Sequence, residues 1–261
     1  MPVKYRIWLG GDKPDNPYEH SKGLRSWAYE LLGSYSSQLR DELHHYQKKG
    51  PFTVSALNSI KERDDYVFFE LSVLSDEVNA ALHEAFDDVR EDILLGNSLY
   101  KISKIDIVEK IDWKDMLRNN HSSGSFNFSF LTPTAHQLNT SIRKCLVTPN
   151  PELYYKDWLS RWNKNSLDII IDEAEVEEVL DYMVVSKFSG GTKIVNTKAL
   201  DRPFIGFVGQ VTFQLLSNNN ISPSIKQQIT ALSRFASLCG TGTETMRGMG
   251  KPYFWVKIIV R

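Results

Sequence analysis

Apolar residues in the first 108 positions recur with a period that changes in a fixed order, and this order restricts the fold more than any other feature. Val3, Tyr5, Ile7 and Leu9 occupy every second position, which is typical of a half-buried strand. The segments that follow have apolar residues at helical or strand spacing, and the predicted elements come in the order β-α-β-β-α-β. This is the order of a ferredoxin-like split βαβ unit. The predicted segments are strand 3–9, helices 21–32 (ending at Gly33) and 36–47, strands 52–56 and 66–74, a helix from its N-cap Ser75 to 89, and strand 100–108.

The second half of the chain repeats this order. Its predicted segments are strand 126–130, helix 151–162, a hairpin of 182–188 and 192–198 around a Ser-Gly-Gly turn, strand 207–215, helix 222–238 and strand 253–260. We therefore predict an α+β protein of two tandem ferredoxin-like (split βαβ, RRM-like) domains. A polar, turn-prone stretch before residue 125 divides it into an N-terminal domain at 1–115, a linker at 116–124 and a C-terminal domain at 125–261.

The formal net charge of −1 conceals an uneven distribution. Residues 182–261 contain ten Lys or Arg against two acids, Asp201 and Glu244. A basic stretch in an otherwise acidic chain predicts a surface that attracts a phosphate backbone. An uneven but solvated surface is the alternative, and charge alone does not decide between the two.

Several classes of function are disfavoured by what the sequence lacks. No run approaches the roughly 18 apolar residues of a membrane span, and the first residues do not form a signal peptide. Cys145 and Cys239 are far apart, which suits a reducing cytoplasm and excludes a cysteine-built zinc site. No metal-binding motif is present. We expect a cytoplasmic protein without a membrane partner, a metal or a cofactor.

The segment between the last predicted helix and the last strand is rich in glycine and carries the two cations Arg247 and Lys251. Gly240, Gly242, Gly248 and Gly250 are followed by Lys251 and then by Pro252. Pro252 excludes a P-loop, and a Rossmann loop is excluded because this loop leaves a helix rather than opening one. Glycines let backbone N–H groups approach a phosphate, although a helix C-cap followed by a tight turn is the alternative.

The helix, this loop and the aromatic strand after it resemble the signature of the CRISPR-associated repeat-processing endoribonucleases, which belong to the RAMP superfamily. Residues 206–213 and 129–134 are also similar to that family. The resemblance implies a metal-independent endoribonuclease that cleaves CRISPR repeat RNA by 2′-hydroxyl attack. Its products would be a 2′,3′-cyclic phosphate and a 5′-hydroxyl, and its role guide-RNA maturation.

The resemblance leaves a second function open, that of a non-catalytic RNA-binding subunit of a CRISPR effector complex. Its implied partners are CRISPR repeat RNA and other effector subunits, with the chain itself a monomer or homodimer.

The resemblance also implies a catalytic site in the first domain. One family pattern has a tyrosine in the first helix, a histidine about fifteen residues later and a lysine before the next strand. Here Tyr29, His44 and either Lys48 or Lys49 match it. His45 competes with His44, and His20 is a weaker candidate because other members carry the histidine earlier. The predicted RNA-binding residues are Lys193, Lys198, Arg202, Gly240, Gly242, Arg247, Gly248, Gly250 and Lys251.

Overall fold

A computed structural model of the chain describes residues 1–36, 39, 41, 50–60, 63–89, 92–118, 124–138, 144–216 and 221–255. The chain divides into two units. The first unit comprises 1–111, 195–204 and 244–249, and the second comprises 112–194, 205–243 and 250–261. No helix among the described residues has the length and apolarity needed to cross a membrane.

The first unit contains one antiparallel sheet with strand order β2-β4-β1-β6-β5, in which β3 also pairs with β4. Its elements are β1 Val3–Gly10, α1 Ser21–Tyr35, β2 Phe52–Val54, β3 Asn58–Ile60, β4 Arg63–Val73, α2 Asp76–Asp87, β5 Asp92–Leu95 and β6 Ser98–Lys110. Strand β1 lies between β4 and β6, as the central strand of a ferredoxin-like sheet must. Strand β5 was not predicted, and it pairs with β6 through a turn at Gly96, whose φ is +65°.

The alternation of apolar and polar residues along β1 matches the alternation of buried and half-buried side chains in the folded sheet. Val3, Tyr5, Ile7 and Leu9 are buried in one core with residues of α1 and α2. Burying one face of the sheet under two helices is what makes the strand pattern stable. Ser75 caps α2 as predicted, because its hydroxyl accepts from the Val78 N–H at 3.3 Å.

The predicted end of the first helix at Gly33 is wrong. Helix α1 continues through Gly33 to Tyr35. An isolated glycine costs a helix only about 1 kcal/mol relative to alanine, and the buried Leu31 and Leu32 stabilise this turn by more than that.

The second unit contains a four-stranded sheet of order β10-β11-β7-β12. Its elements are α3 Trp113–Arg118, β7 Ser125–Thr134, β8 His136–Gln137, β9 Cys145–Leu146, α4 Pro151–Asn165, α5 Glu173–Leu180, β10 Met183–Val195, β11 Phe204–Leu215, α6 Pro223–Cys239 and β12 Pro252–Trp255. Strand β7 lies between β11 and β12 and is antiparallel to both. Without β3 and β5, the order of strands in the first sheet is the same as in the second, so the predicted fold of two ferredoxin-like units is confirmed.

The predicted hairpin around residues 189–191 is wrong. Residues Met183–Val195 form one continuous strand, β10, beside β11. A Cβ on Gly190 would lie 2.3 Å from the Val208 carbonyl oxygen, and one on Gly209 would lie 2.6 Å from Gly190 Cα. These glycines therefore allow a close approach between two strands, and they do not form a turn.

The boundary between the units differs from the predicted linker at 116–124. Helix α3, which includes Arg118, belongs to the second unit. Trp113 packs there against Trp162 and Phe235, with ring centroids 4.7 and 5.2 Å apart. The predicted domains also treated each unit as one stretch of sequence, whereas the first unit includes 195–204 and 244–249.

Candidate active site and RNA interface

Helix α6 leads directly into the glycine-rich loop, residues 240–251. The helix begins after Ser222, whose hydroxyl accepts from the Ile225 N–H, with Pro223 in its first turn. It ends at Gly240, whose φ of 71° lies in the left-handed region that favours glycine. The sequence predicted both ends of this helix.

The backbone N–H groups of three loop glycines donate within the protein. The Gly240 N–H bonds the Ala236 carbonyl at 2.9 Å, and the Gly250 N–H bonds the Pro133 carbonyl at 2.9 Å. The Gly242 N–H donates to Asp157 Oδ2 at 3.0 Å. These three amides are therefore used in holding the loop in place.

Three of the glycines are required by close packing. A Cβ on Gly250 would lie 2.0 Å from the Thr241 carbonyl oxygen, and one on Gly242 would lie 2.2 Å from the Ala135 carbonyl oxygen. A Cβ on Gly248 would lie 2.6 Å from the Ala56 nitrogen. All three glycines also have positive φ, which side-chain-bearing residues adopt only with strain.

We expect Gly250→Ala to destabilise the protein by at least about 1–3 kcal/mol, the range for a strained backbone position, because the added methyl group also meets a backbone oxygen. The matched control is Gly191→Ala, since no atom lies within 4 Å of a Cβ built there. Urea unfolding of both variants measures the effect. Equal midpoints for the two variants would contradict the packing role of Gly250.

Arg247 lies in the short 3₁₀ turn Thr245–Arg247, beside two carboxylates of the first unit. Its side chain is 16% exposed, and its Nη1 lies 3.4 Å from Glu244 and 3.6 Å from Asp201. Its Nε–H is buried without a hydrogen-bond partner. The positive charge of Arg247 is therefore partly neutralised within the protein, and a phosphate would compete with two acids for it.

The other predicted cations lie at the surface to different degrees. Lys198 and Arg202 are exposed in the 195–204 segment of the first unit. In the second unit Lys193 is exposed on β10, and Lys251 is half-buried beside Thr132, whose hydroxyl accepts from the Lys251 N–H at 2.8 Å.

Tyr29 is buried in the first unit and lies against the loop. It is 4% exposed, its ring centroid is 5.3 Å from that of Phe52, and its hydroxyl points to Met246 Sδ at 3.7 Å. Gly50 also packs closely against Met246, because a Cβ built on Gly50 would lie 2.9 Å from Met246 Sδ. The turn that carries Arg247 is therefore packed against both α1 and the start of β2.

His44, His45, Lys48 and Lys49 lie outside the described residues. The predicted helix over 36–47 does so as well, apart from positions 36, 39 and 41. The assignment of these residues therefore stays a prediction. Gly50, which directly follows Lys49 in the sequence, is the nearest described position after them.

His20 and Lys198 line one cleft of the first unit, about 880 Å³ in volume. The imidazole of His20 is 7% exposed, and its Nε2 lies 3.2 Å from the Tyr100 hydroxyl, which also donates to the Asp12 carbonyl. Burial lowers the pKa of His20, and the nearby Glu19 carboxylate opposes that shift.

Sequence reasoning missed Tyr100, Lys13 and Lys22, which line the same cleft. Tyr100 stands 80 positions from His20 and was interpreted as the start of a strand, so no local pattern could have joined them. Among the described residues, no group of three or more His, Cys, Asp or Glu side chains could hold a metal ion.

The second ferredoxin-like unit passes through a helix and a glycine-rich loop into its last strand. Residues 128–252 match the family model of the CRISPR-associated endoribonuclease Cas6. The predicted resemblance to the CRISPR-associated repeat-processing endoribonucleases is therefore confirmed.

Solved structures extend the likeness of the fold over the whole chain. A product complex of Thermus thermophilus Cas6 (TTHB231) is 22% identical with a TM-score of 0.81, covering 98% of this chain and 99% of that one. A product complex of Cas6 (TTHA0078) is 21% identical with a TM-score of 0.79 and the same coverage. A Cas6-related protein of Pyrococcus furiosus is 16% identical with a TM-score of 0.64, covering 98% of this chain and all of that one. The comparison with curated proteins found no match.

Proposed function

We propose that this chain is an endoribonuclease that cuts CRISPR repeat RNA and so produces guide RNAs. The observation that carries the proposal is the match of residues 128–252, which include the whole glycine-rich loop, to the family model of an endoribonuclease. Solved structures with this fold are product complexes and a substrate-mimic complex of Cas6 proteins, which supports a role with RNA for this chain as well.

The proposed reaction is an intramolecular transesterification. The 2′-oxygen of one nucleotide attacks the adjacent phosphorus while the bond from phosphorus to the 5′-oxygen of the next nucleotide breaks. A base accepts the 2′-hydroxyl proton, an acid gives a proton to the departing 5′-oxygen, and the products are a 2′,3′-cyclic phosphate and a 5′-hydroxyl. We propose that side chains supply both proton transfers and the stabilisation of charge, so that the cleavage is metal-independent.

We assign the proton transfer to His44, because imidazole can serve as acid or base near neutral pH. His45 is the competing candidate. Lys48 or Lys49 would supply the cation that stabilises the crowded phosphate in the transition state. These residues precede Gly50 in the sequence, and Gly50 contacts Met246, the neighbour of Arg247. That contact supports a site formed by the residues before β2 together with the turn that carries Arg247.

Tyr29 completes the proposed site. Its burial and the orientation of its hydroxyl towards Met246 support a positioning role, in which the tyrosine fixes the turn that carries Arg247. Lys193, Lys198, Arg202 and Lys251 are proposed to bind phosphates of the RNA. Each phosphate contact makes the affinity fall more steeply with salt, with a slope of about −0.7 per contact on a single strand.

The test is incubation of the protein with labelled repeat RNA in EDTA. We expect a single cleavage whose 5′ fragment ends in a cyclic phosphate, which mass spectrometry distinguishes from a linear phosphate by the mass of one water. Cleavage that requires an added divalent cation would contradict the proposed chemistry. Binding without any product, with or without a cation, would show the non-catalytic RNA-binding subunit instead.

A further inference from the structure

The sheet of the first unit has one face packed on its helices and one face that its helices leave open. On β1 the residues opposite the core are Lys4, Arg6 and Trp8, and all three are half-buried. Trp8 is the cross-strand partner of Phe68 on β4. Two central strands of the sheet therefore place an aromatic pair side by side on the open face.

Arg6, Trp8 and Phe68 form a cluster that we call the aromatic platform. The two ring centroids are 5.1 Å apart. The guanidinium carbon of Arg6 lies 4.6 Å from the Phe68 centroid and 5.6 Å from the Trp8 centroid. A guanidinium plane and aromatic rings are the groups on which proteins stack unpaired bases.

Hydrogen bonds hold the platform in place. The indole N–H of Trp8 donates to Asp106 at 2.9 Å, and Arg6 Nη2 donates to Glu70 at 2.8 Å. Arg6 Nε–H, by contrast, is buried without an acceptor. An unsatisfied buried donor is costly, and an acceptor atom of a bound base could relieve that cost after a small shift of the side chain.

Three cations near the platform are each paired with an acid. Arg6 pairs with Glu70, Lys4 with Glu109 and Lys104 with Asp106, each at 2.8 Å. Phosphates are therefore not attracted here by uncompensated cations. What the platform offers a nucleic acid is stacking, which tolerates any base because every base has a π-face.

The second unit shows that the fold does not require these aromatics. Its central strands β7 and β11 pair Asn127 with Thr212 and Ser129 with Gln210 on the corresponding face. The Thr212 hydroxyl donates to Asn127 at 3.0 Å, and the aromatics of this face, Tyr253 and Trp255, lie on the edge strand β12 instead. The core of the first unit is formed by the opposite face of its sheet and does not include Trp8 or Phe68.

We propose that the aromatic platform binds an unpaired nucleobase of single-stranded RNA by stacking. The inference rests on the proposed function for the identity of the RNA, a single-stranded segment of the repeat transcript. Ferredoxin-like RNA-binding domains use aromatics on two central strands in this way, and the first unit has the same strands in the same order.

The experiment measures binding of a short unstructured RNA and of repeat RNA by the wild-type protein and by Trp8→Ala and Phe68→Ala. Loss of one stacked base lowers affinity about 5- to 100-fold. We expect each variant to bind the unstructured RNA more weakly within that range, with the slope of log affinity against log salt unchanged. The matched control is Tyr35→Ala, because Tyr35 is a 50% exposed aromatic on α1. It should bind like the wild type.

A second measurement uses the unaltered protein. A 2-aminopurine placed in the unstructured RNA is quenched when it stacks, so its emission should fall on binding to the wild type and less on binding to a Trp8→Leu variant. This readout keeps the test valid if an alanine variant does not fold. Wild-type affinity in both alanine variants, or undiminished emission with the wild type, would overturn the inference.

The outcomes separate this inference from the proposed function. If the platform variants bind single-stranded RNA normally while the wild type still cuts repeat RNA in EDTA, only the inference fails. If the wild type stacks the probe and never cuts repeat RNA, the proposed cleavage fails and the platform stands.

Discussion

The His44→Ala variant should cut repeat RNA 10²- to 10⁴-fold more slowly than the wild type, because that is the usual contribution of a positioned acid or base to the rate. Its affinity for the RNA should change little, since an imidazole that moves a proton in the transition state contributes mainly to the chemical step. Single-turnover cleavage in EDTA measures the first quantity, and an electrophoretic binding titration measures the second.

The matched control is His45→Ala, which removes an imidazole at the neighbouring position. It should retain cleavage within a few-fold of the wild type. His20→Ala provides a second comparison, because His20 lies in the cleft with Tyr100 and Lys198. If cleavage is lost in His45→Ala or His20→Ala and kept in His44→Ala, the proposed assignment of the histidine is wrong while the proposed reaction is retained.

Arg161→Ala should destabilise the protein by about 3–5 kcal/mol, the usual cost of leaving one partner of a buried ion pair alone. Arg161 is 1% exposed, and its Nε lies 3.3 Å from Asp157 on the same helix, α4. Its guanidinium also donates to the carbonyl oxygens of Cys239 and Gly242 at 3.2 and 3.0 Å. Asp157 in turn accepts from the Gly242 N–H. The variant therefore loses the groups that hold the start of the glycine-rich loop.

Urea unfolding gives the free-energy difference. Lys156→Ala is the control on the same helix, because its pairs with Glu152 and Glu177 are exposed, and it should change stability by no more than about 0.5 kcal/mol. The double variant Asp157→Ala/Arg161→Ala should cost less than the two single variants together, since neither charge is then left unpaired. A loss in Arg161→Ala as small as that in Lys156→Ala would show that the pair does not hold the loop.

Strong hydrophobic periodicity made most of the fold predictable. The alternation from Val3 to Leu9 and the caps at Ser75 and Ser222 gave elements that the structure contains almost residue for residue. Two of the errors came from glycines. Gly33 was interpreted as a helix end and Gly190 as part of a turn, although the energetic cost of the first is small and the second permits strands to approach closely.

The candidate site was less predictable, because its contacts join residues far apart in the sequence. No local pattern connects Tyr29 with Met246, or His20 with Tyr100. The glycines of the loop were expected to face a phosphate, and the N–H groups of Gly240, Gly242 and Gly250 instead bond the protein itself. Asp157 and Arg161 stand four residues apart on a predicted helix, so the sequence shows that they can pair. The sequence does not show that the pair is buried, and its effect on stability depends on that burial.

The inclusion of residues 244–249 in the first unit has a consequence for how the protein is made. Domains generally fold as units during translation, the N-terminal one first. Here the residue on which Tyr29 and Gly50 pack is Met246, so a ribosome must synthesise the chain as far as that residue before the contact can form. A nascent chain stalled after residue 111 would expose apolar surface that Met246 covers in the finished molecule, and premature release would yield a fragment prone to aggregate.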